Sequence, residues 1–224
     1  MKIPIAGSSS FRHQVRAEEF DQRLDLAWNV PRSSGLIAGP IARIRDHAAG
    51  YIPAAWRVRP PELLVDLGSG VGVPGIHLAG LLPRTTVILV DSSAQRCETA
   101  RLAVMAVELV DRVSVRHARA DDLASEGEWR ESAAGVVSRL FGPPSELAEC
   151  GLPLVVPGGR LVVSVSSTTL KWWKSAPLEG LGARWEGSWS TDAGSYVAVA
   201  KDSPTPPRFP RRTPARKRRP WPDT

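Results

Sequence analysis

Short apolar runs alternate with stretches of helical spacing through the middle of the chain. From residue 62 onward the runs are ELLVDLG, TTVILVD, RVSVRHA, AGVVSRL and GRLVVSVS. Each segment between two runs is long enough for one helix, and short loops connect it to its neighbours. This alternation predicts an α/β fold with a doubly wound, mostly parallel sheet. The predicted helices cover residues 74–82, 93–109, 123–131, 143–155 and 168–181.

Two further apolar runs follow without a helix between them. ARWEGSWS and GSYVAVAKD are joined only by the turn-rich TDAG. They therefore predict an antiparallel hairpin at the sheet edge, which completes a seven-stranded sheet. Trp185 and Trp189 stand four residues apart in the first strand of this hairpin. We expect them to share one face of the strand and to pack on the core.

The ends of the chain differ from the α/β region, which covers residues 61–202. Residues 1–60 carry apolar positions at helical spacing and predict an N-terminal helical extension. Its two helices are expected over 15–28 and 34–47, the second interrupted by Pro40. The remaining part, residues 203–224, forms a basic, proline-rich C-terminal arm.

The C-terminal arm carries the whole charge imbalance of the chain. The formal net charge is +6, and this arm holds seven Lys or Arg, one acid and seven prolines, so the rest of the chain is neutral. The prolines predict an extended, solvated arm, and arginines interleaved with Phe and Trp suit phosphate contacts and base stacking. A solubilising tail without a partner is the alternative. The RNA-binding candidates are Arg208, Arg211, Arg212, Arg216, Lys217, Arg218 and Arg219.

Composition argues against membrane, secreted and metal-binding proteins. No apolar run reaches the length of a membrane span or a signal peptide, so we expect a cytoplasmic protein without a membrane partner. Cys97 and Cys150 lie in predicted helices, where we expect buried, reduced thiols and no metal site. His77 and His117 are expected to be packing or surface residues.

A glycine-rich loop follows the first predicted strand in LLVDLGSGVGVPGIHLA, residues 63–79. Gly70-x-Gly72-x-x-Gly75 matches the dinucleotide fingerprint, and Asp91 ends the second strand at a suitable distance for a ribose hydroxyl. Asp66, directly ahead of the glycines, would repel a pyrophosphate. The dinucleotide fingerprint is typical of dehydrogenases, and the antiparallel hairpin that closes the predicted sheet also argues against that class.

Several motifs resemble class I S-adenosylmethionine-dependent methyltransferases: Asp-x-Gly-x-Gly-x-Gly, an acid closing strand two, an acid after strand three, and Pro-Gly-Gly before strand five. More narrowly, LVDLGSGVGVPGIHLA, VDSSAQR, ARADDL, VVSRLF and PGGRLVV resemble, in order and spacing, the glucose-inhibited division protein B family. The ending RFPRRTPARKRRPW is similar to that of many members. The members of this family are small-subunit ribosomal RNA guanine-N7 methyltransferases.

The resemblance implies S-adenosylmethionine as the cofactor and guanine N7 of 16S ribosomal RNA as the methyl acceptor. Ribosomal RNA or a small-subunit precursor would be the partner. The resemblance also implies that Arg139 is catalytic. The alternative for Arg139 is a salt bridge to Asp66 or Glu98 that only shapes the pocket. Residues implied at the cofactor are Asp66, Gly68, Gly70, Gly72, Asp91, Ser92, Arg119, Ala120, Asp121 and Arg139.

Three expectations follow from this assignment. Guanine N7 has an in-plane lone pair, so catalysis needs placement rather than a general base. A side chain at Gly70 or Gly72 should block the ligand without unfolding the sheet. A chain that ends at Lys201 should fold and keep its cofactor site.

Two alternatives stay open. One is a methyltransferase that acts on a small molecule or a protein. The other is a catalytically silent RNA-binding relative.

Overall fold

A computed structural model describes the chain from residue 9 to residue 222, and its side chains from residue 17. The ends of the helical extension and of the C-terminal arm, residues 1–8 and 223–224, lie outside the described residues. The strands are β1 Leu63–Leu67, β2 Thr86–Asp91, β3 Val113–His117, β4 Ala133–Ser138, β5 Val155–Val165, β6 Ala183–Thr191 and β7 Gly194–Lys201.

The seven strands form one sheet in the order β3-β2-β1-β4-β5-β7-β6. The pairs among the first five are parallel, whereas β7 is antiparallel to both β5 and β6. The predicted doubly wound sheet with its closing hairpin is confirmed. Its order reverses beside β1, so the carboxyl ends of β1 and β4 border the crevice where such sheets bind ligands.

Helices cover both faces of the sheet because alternate residues of each inner strand are buried on opposite sides. In β2, Val87 and Leu89 pack in one core cluster and Ile88 and Val90 pack in the other. The first face is covered by α1 Ser9–Ser33, α2 Ile41–Ala49, α3 Ala54–Val58, α4 Gly75–Leu81 and α5 Ala94–Ala106. The second face is covered by α6 Ala120–Ser125, α7 Pro144–Gly151 and α8 Ser167–Ser175.

The helix ends differ from the predicted ones. The first helix continues through Pro31 to Ser33, and Pro40 caps the start of α2 instead of interrupting it. Proline fits a helix start because its missing N–H would have no partner there. Single 3₁₀ turns, Leu152–Leu154 and Leu178–Leu181, replace the last parts of two longer predicted helices.

The two tryptophans of β6 do not share a face, so that expectation was wrong. Trp185 pairs with Val199 and Gly187 pairs with Ala198, so Glu186 is an extra residue in the ladder. Such a bulge reverses the alternation of side chains beyond it. Trp185 therefore packs against the cluster of the second face, while Trp189 stacks on Tyr196 in the cluster of the first.

The C-terminal arm is folded onto the body, which corrects the expected extended and solvated segment. Residues Thr213–Arg218 form a short helix, α9, and Phe209 and Trp221 are buried in the cluster of the second face. The Trp221 ring packs edge-on against Trp172, at 6.1 Å between centroids. Proline prevents long helices and strand ladders, but it does not prevent apolar anchors from docking.

Polar contacts fix the same arm. The Arg130 guanidinium donates to the carbonyl oxygens of Thr205 at 2.5 Å and Phe209 at 2.8 Å. The Arg211 guanidinium donates to both carboxylate oxygens of Glu149, at 2.7 and 2.9 Å. Glu149 is fully buried, and this pairing gives both of its carboxylate oxygens the donors that burial would otherwise deny them.

Replacing a docked aromatic of the arm should destabilise the whole domain. We expect Phe209→Ala to lower the free energy of unfolding by about 3 kcal/mol, the usual loss for a buried phenylalanine. Urea denaturation measures this value. The matched control is Lys217→Ala, at an exposed position of α9, with an expected change within about 0.5 kcal/mol. Equal stability of wild type and Phe209→Ala would mean that the arm is undocked in solution.

Candidate active site

The loop after β1 is tied to the end of β2 by its backbone. The N–H groups of Gly68 and Ser69 donate to the Val90 carbonyl at 2.8 and 2.9 Å. The Gly70 N–H donates to Oδ2 of Asp91 at 2.9 Å. These bonds hold the glycines directly beside the carboxylate that ends the second strand.

Gly70 and Gly72 have different physical roles, although both adopt positive φ, at 58° and 94°. A Cβ on Gly70 would meet nothing within 4 Å, so the backbone there borders open space. A Cβ on Gly72 would lie 2.3 Å from Cδ1 of the buried Ile76. A side chain at Gly72 therefore requires Ile76 to move, so a loss of binding in such a variant would be mixed with a change in the packing of α4. Gly70 is the cleaner position for a test.

A cavity of about 250 Å³ opens next to this loop at the carboxyl edge of the sheet. Six of the ten residues predicted at the cofactor line it: Gly68, Asp91, Ser92, Arg119, Ala120 and Asp121. Asp66, Gly70, Gly72 and Arg139 are outside this lining. Gly70 nevertheless touches the cavity wall through its bond to Asp91. The roles of all ten residues stay predictions.

Asp91 is held in one orientation inside the cavity. Its Oδ1 accepts from the Ser93 N–H at 2.9 Å and pairs with the Arg96 guanidinium at 3.0 Å. Its Oδ2 accepts from Gly70 alone, so one lone pair of this oxygen is left for a ligand hydroxyl. The carboxylate is 4% exposed, whereas the Arg96 side chain is 45% exposed and can move at little cost.

Asp121 lies across the cavity and is occupied by the C-terminal arm. Its Oδ2 accepts from the Thr213 hydroxyl at 2.6 Å and from the Arg216 guanidinium at 2.9 Å, and its Oδ1 accepts from Arg119 at 3.2 Å. Burial raises the pKa of this carboxyl, but these donors and charges outweigh it and hold the pKa well below the usual range. Asp121 is therefore ionised at neutral pH.

Asp66 is completely buried at the end of β1. Its Oδ2 accepts from the Gly75 N–H at 2.7 Å, while Oδ1 has no hydrogen-bond partner among the described side chains and backbone. Burial raises the pKa of Asp66 to about 7, and the Asp91 charge adds to the shift. A buried acceptor without a donor costs free energy unless a ligand supplies the donor.

Arg139 follows β4 and is half-buried. Within residues 17–222 its guanidinium takes part in no hydrogen bond or ion pair, so the pairing with Asp66 or Glu98 considered from the sequence does not form. Burial lowers the pKa of His47 and the Arg139 charge lowers it further, and the same charge opposes the rise of the pKa at Asp66. The next residue, Leu140, has a φ of 57° and is 87% exposed. Such strain in a residue other than glycine is typical of functional sites.

Sequence reasoning did not assign eight of the fourteen residues of the cavity wall to the cofactor site, and three of the eight contribute a positive charge or an aromatic ring. Arg96 lies in the first turn of α5, shortly after Asp91, and was detectable as a charge close to the end of the second strand. Phe141 covers Gly68, whose Cβ would lie 3.0 Å from its ring. Arg216 was predicted to bind RNA, but it is 5% exposed and lines the cavity, because Asp121 and Glu146 attract its charge inward. No local signal in the sequence marks this contact.

The other sequence candidates contribute packing. Cys97 and Cys150 are buried and free, as expected. His77 is buried and stacks on Phe20. No group of His, Cys, Asp or Glu within residues 17–222 could hold a metal ion, and no helix of the described chain is long and apolar enough to cross a membrane.

A family model described as rRNA small subunit methyltransferase G, GidB, matches residues 52–175. This chain belongs to the GidB family. It is 34% identical over 227 residues to the ribosomal RNA small subunit methyltransferase G of Desulfitobacterium hafniense, with 97% of this chain and 92% of that one covered. It is 38% identical over 154 residues to the protein of the same name in Salinispora arenicola, where the match covers 64% of each chain.

Solved structures show the same fold at low sequence identity. A methyltransferase from Geobacter sulfurreducens superposes with a TM-score of 0.59 at 12% identity, over 80% of this chain and 90% of that one. An S-adenosyl-L-methionine-dependent methyltransferase, described as putative, from Methanococcus maripaludis gives 0.58 at 14%, over 84% and 92%. The family, the Rossmann-like fold and the methyltransferase assignment that the sequence predicted are confirmed.

A methyl group on Gly70 should block the cavity without unfolding this GidB protein. We expect Gly70→Ala to lose about 1 kcal/mol of stability through its positive φ and to bind S-adenosylmethionine at least tenfold more weakly. Calorimetry and thermal unfolding measure the two effects. Gly158→Ala is the matched control, with a φ of 89°, open space around its Cβ and a position away from the cavity. Unchanged affinity in Gly70→Ala would exclude this loop from the cofactor site.

Asp66 should make stability fall as pH rises. The pKa of Asp66 is about 7 in the folded state and near 4 in the unfolded state. Between these two pH values the folded state binds one more proton than the unfolded state, so the free energy of unfolding falls as pH rises. Relative to wild type, Asp66→Asn should gain roughly 2–3 kcal/mol between pH 5 and pH 8, at about 1.4 kcal/mol per pKa unit. Urea denaturation at both pH values measures the gain. Parallel profiles of the two proteins would contradict the buried, titrating carboxyl.

Proposed function

We propose that this chain transfers a methyl group from S-adenosylmethionine to N7 of a guanine in small-subunit ribosomal RNA. The observation that carries the proposal is the cavity at the carboxyl edge of β1 and β2, with a glycine loop and Asp91 on its wall, in a member of the GidB family. Such a substrate implies action in the cytoplasm.

The residues around the cavity fit the nucleoside part of the cofactor. Gly70 leaves open space beside Asp91, and the free lone pair of Oδ2 can accept one ribose hydroxyl. A second hydroxyl at Oδ1 requires Arg96 to turn away, since that oxygen already has two donors. Arg96 is therefore expected to exchange its contact with Asp91 for solvent when the cofactor binds.

The amino acid end of the cofactor carries an ammonium and a carboxylate, and the chain offers complementary groups beyond the loop. The Oδ1 atom of Asp66 and the hydroxyl of Ser69 are buried without partners in the described part of the chain. Arg139 supplies an unpaired positive charge nearby. These groups support a bound zwitterion at this end of the site.

The proposed chemistry needs little from the protein besides placement. When bound, S-adenosylmethionine supplies a methyl group on a positively charged sulfur, which is an activated donor. Guanine N7 needs no proton removed, and the Arg139 guanidinium has donors suited to the neighbouring O6 of the base. Arg139 would thus hold the base in line for transfer, and a positioned donor of this kind contributes about 100-fold to turnover.

Five cations of the C-terminal arm stay available for RNA phosphates. They are exposed, whereas Arg211 and Arg216 contact carboxylates of the body. Each phosphate contact adds about 0.7–0.9 to the dependence of binding on salt concentration. The exposed candidates are Arg208, Arg212, Lys217, Arg218 and Arg219.

The test uses the purified full-length chain, S-adenosylmethionine and small subunits that lack N7-methylguanosine. We expect one guanine of 16S ribosomal RNA to acquire the N7 methyl group, mapped by chain scission at the modified base. Arg139→Ala should keep its melting temperature, bind the cofactor more weakly, and lose about 100-fold in turnover even at saturating cofactor.

Other outcomes would redirect the assignment. Methyl transfer to a small molecule or a protein, with none to RNA, would contradict the proposed acceptor. Failure to bind S-adenosylmethionine would favour a catalytically silent RNA-binding relative. A parallel fall of cofactor affinity and melting temperature in Arg139→Ala would mean that this arginine only braces the site.

A further inference from the structure

Arg216 belongs to the C-terminal arm but lies in the wall of the cofactor cavity. Its Nη2 donates to Oδ2 of Asp121 at 2.9 Å and to the Thr213 hydroxyl at 3.1 Å, and the Glu146 carboxylate is 3.6 Å away. The Nε atom is buried and has no partner among the described atoms. A buried donor left free at a cavity wall points to contact with a ligand.

The opposite side of the same short element carries free charge. Lys217, Arg218 and Arg219 follow Arg216 directly and are exposed, and so is Arg212 just ahead of α9. One turn of helix therefore presents a cation to the cavity on its inner side and several cations to solvent on its outer side.

Docking of this element rests on contacts outside the helix itself, including those on its two flanks. Phe209 and Trp221 anchor the flanks of α9, and the pairing between Arg211 and Glu149 fixes its start. A helix of six residues is not stable by itself, so its order depends on such contacts and on any ligand that binds the docked form. If two ligands both bind the docked form of α9, the first to bind orders the helix and lowers the entropic cost of binding for the second.

We propose that Arg216 is a positioning residue whose contact with Asp121 links occupation of the cofactor cavity to RNA binding on the outer side of α9. The proposal rests on the function proposed above. Cofactor binding uses the inner side of the docked arm and RNA phosphates use the outer side. Because coupling between two binding sites is reciprocal, RNA should raise the affinity for the cofactor by the same factor as the cofactor raises the affinity for RNA.

The test measures the affinity for S-adenosylhomocysteine, which occupies the cofactor site without turnover, with and without a 16S ribosomal RNA transcript. In the wild type we expect the RNA to raise this affinity about fivefold, at the low end of measured couplings. In Arg216→Gln we expect about tenfold weaker binding without RNA and no effect of RNA. Arg216→Lys, which keeps the charge, should restore part of both.

The matched control is Arg218→Gln, which removes an exposed cation next to the same helix turn. It should bind RNA more weakly and leave S-adenosylhomocysteine affinity without RNA unchanged. Thermal unfolding of every variant checks the fold. If Arg216→Gln does not fold, Thr213→Val removes the other donor to the same Asp121 oxygen and should lower the RNA effect at least twofold.

The outcomes separate this inference from the proposed function. A wild type that methylates RNA but shows the same fivefold effect of RNA in Arg216→Gln would overturn the link alone. A wild type without any effect of RNA on cofactor affinity would do the same. Absence of S-adenosylhomocysteine binding to the wild type would instead overturn the proposed function.

Discussion

The backbone bonds between the loop after β1 and the end of β2 are the constraint on which the rest of the site depends. Three successive N–H groups, from Gly68 to Gly70, are spent on Val90 and Asp91. Only a chain with positive φ at alternate positions can make this turn, which explains the glycines before any ligand is considered. The same bonds fix the Asp91 carboxylate beside open space. Fold and binding capacity therefore arise from one local arrangement.

Charge balance of the core explains why the C-terminal arm docks. The body is formally neutral, but Glu149 is fully buried and Asp121 is partly buried, and buried carboxylates are costly without partners. Arg211 and Arg216 of the arm supply those partners. The positive excess of the arm is thus partly an internal counter-charge. Only the remaining cations are left for the proposed RNA contacts.

The mostly parallel sheet, the closing hairpin and six cavity residues could be predicted because apolar periodicity and short motifs encode them locally. The docked arm could not, since Phe209 and Trp221 are isolated aromatics whose binding slot is built by α8, far away in the chain. The bulge at Glu186 could not be predicted for a related reason. No residue type in β6 requires a bulge, and it appears only in the pairing of β6 with β7. The sequence could not predict the features that depend on contacts between residues far apart in the chain.

The arrangement of Asp66 and Arg139 fits the ligand site proposed above better than an arrangement that maximises stability. Opposite charges in the same region could have formed an ion pair, yet none forms, and Asp66 keeps a buried oxygen without a donor. The raised pKa of Asp66 is the cost of this arrangement in the free protein. A zwitterionic ligand placed between the two groups would remove that cost, because it offers a donor to one and an acceptor to the other. The free energy that folding does not gain from an ion pair between Asp66 and Arg139 would then be gained when the ligand binds.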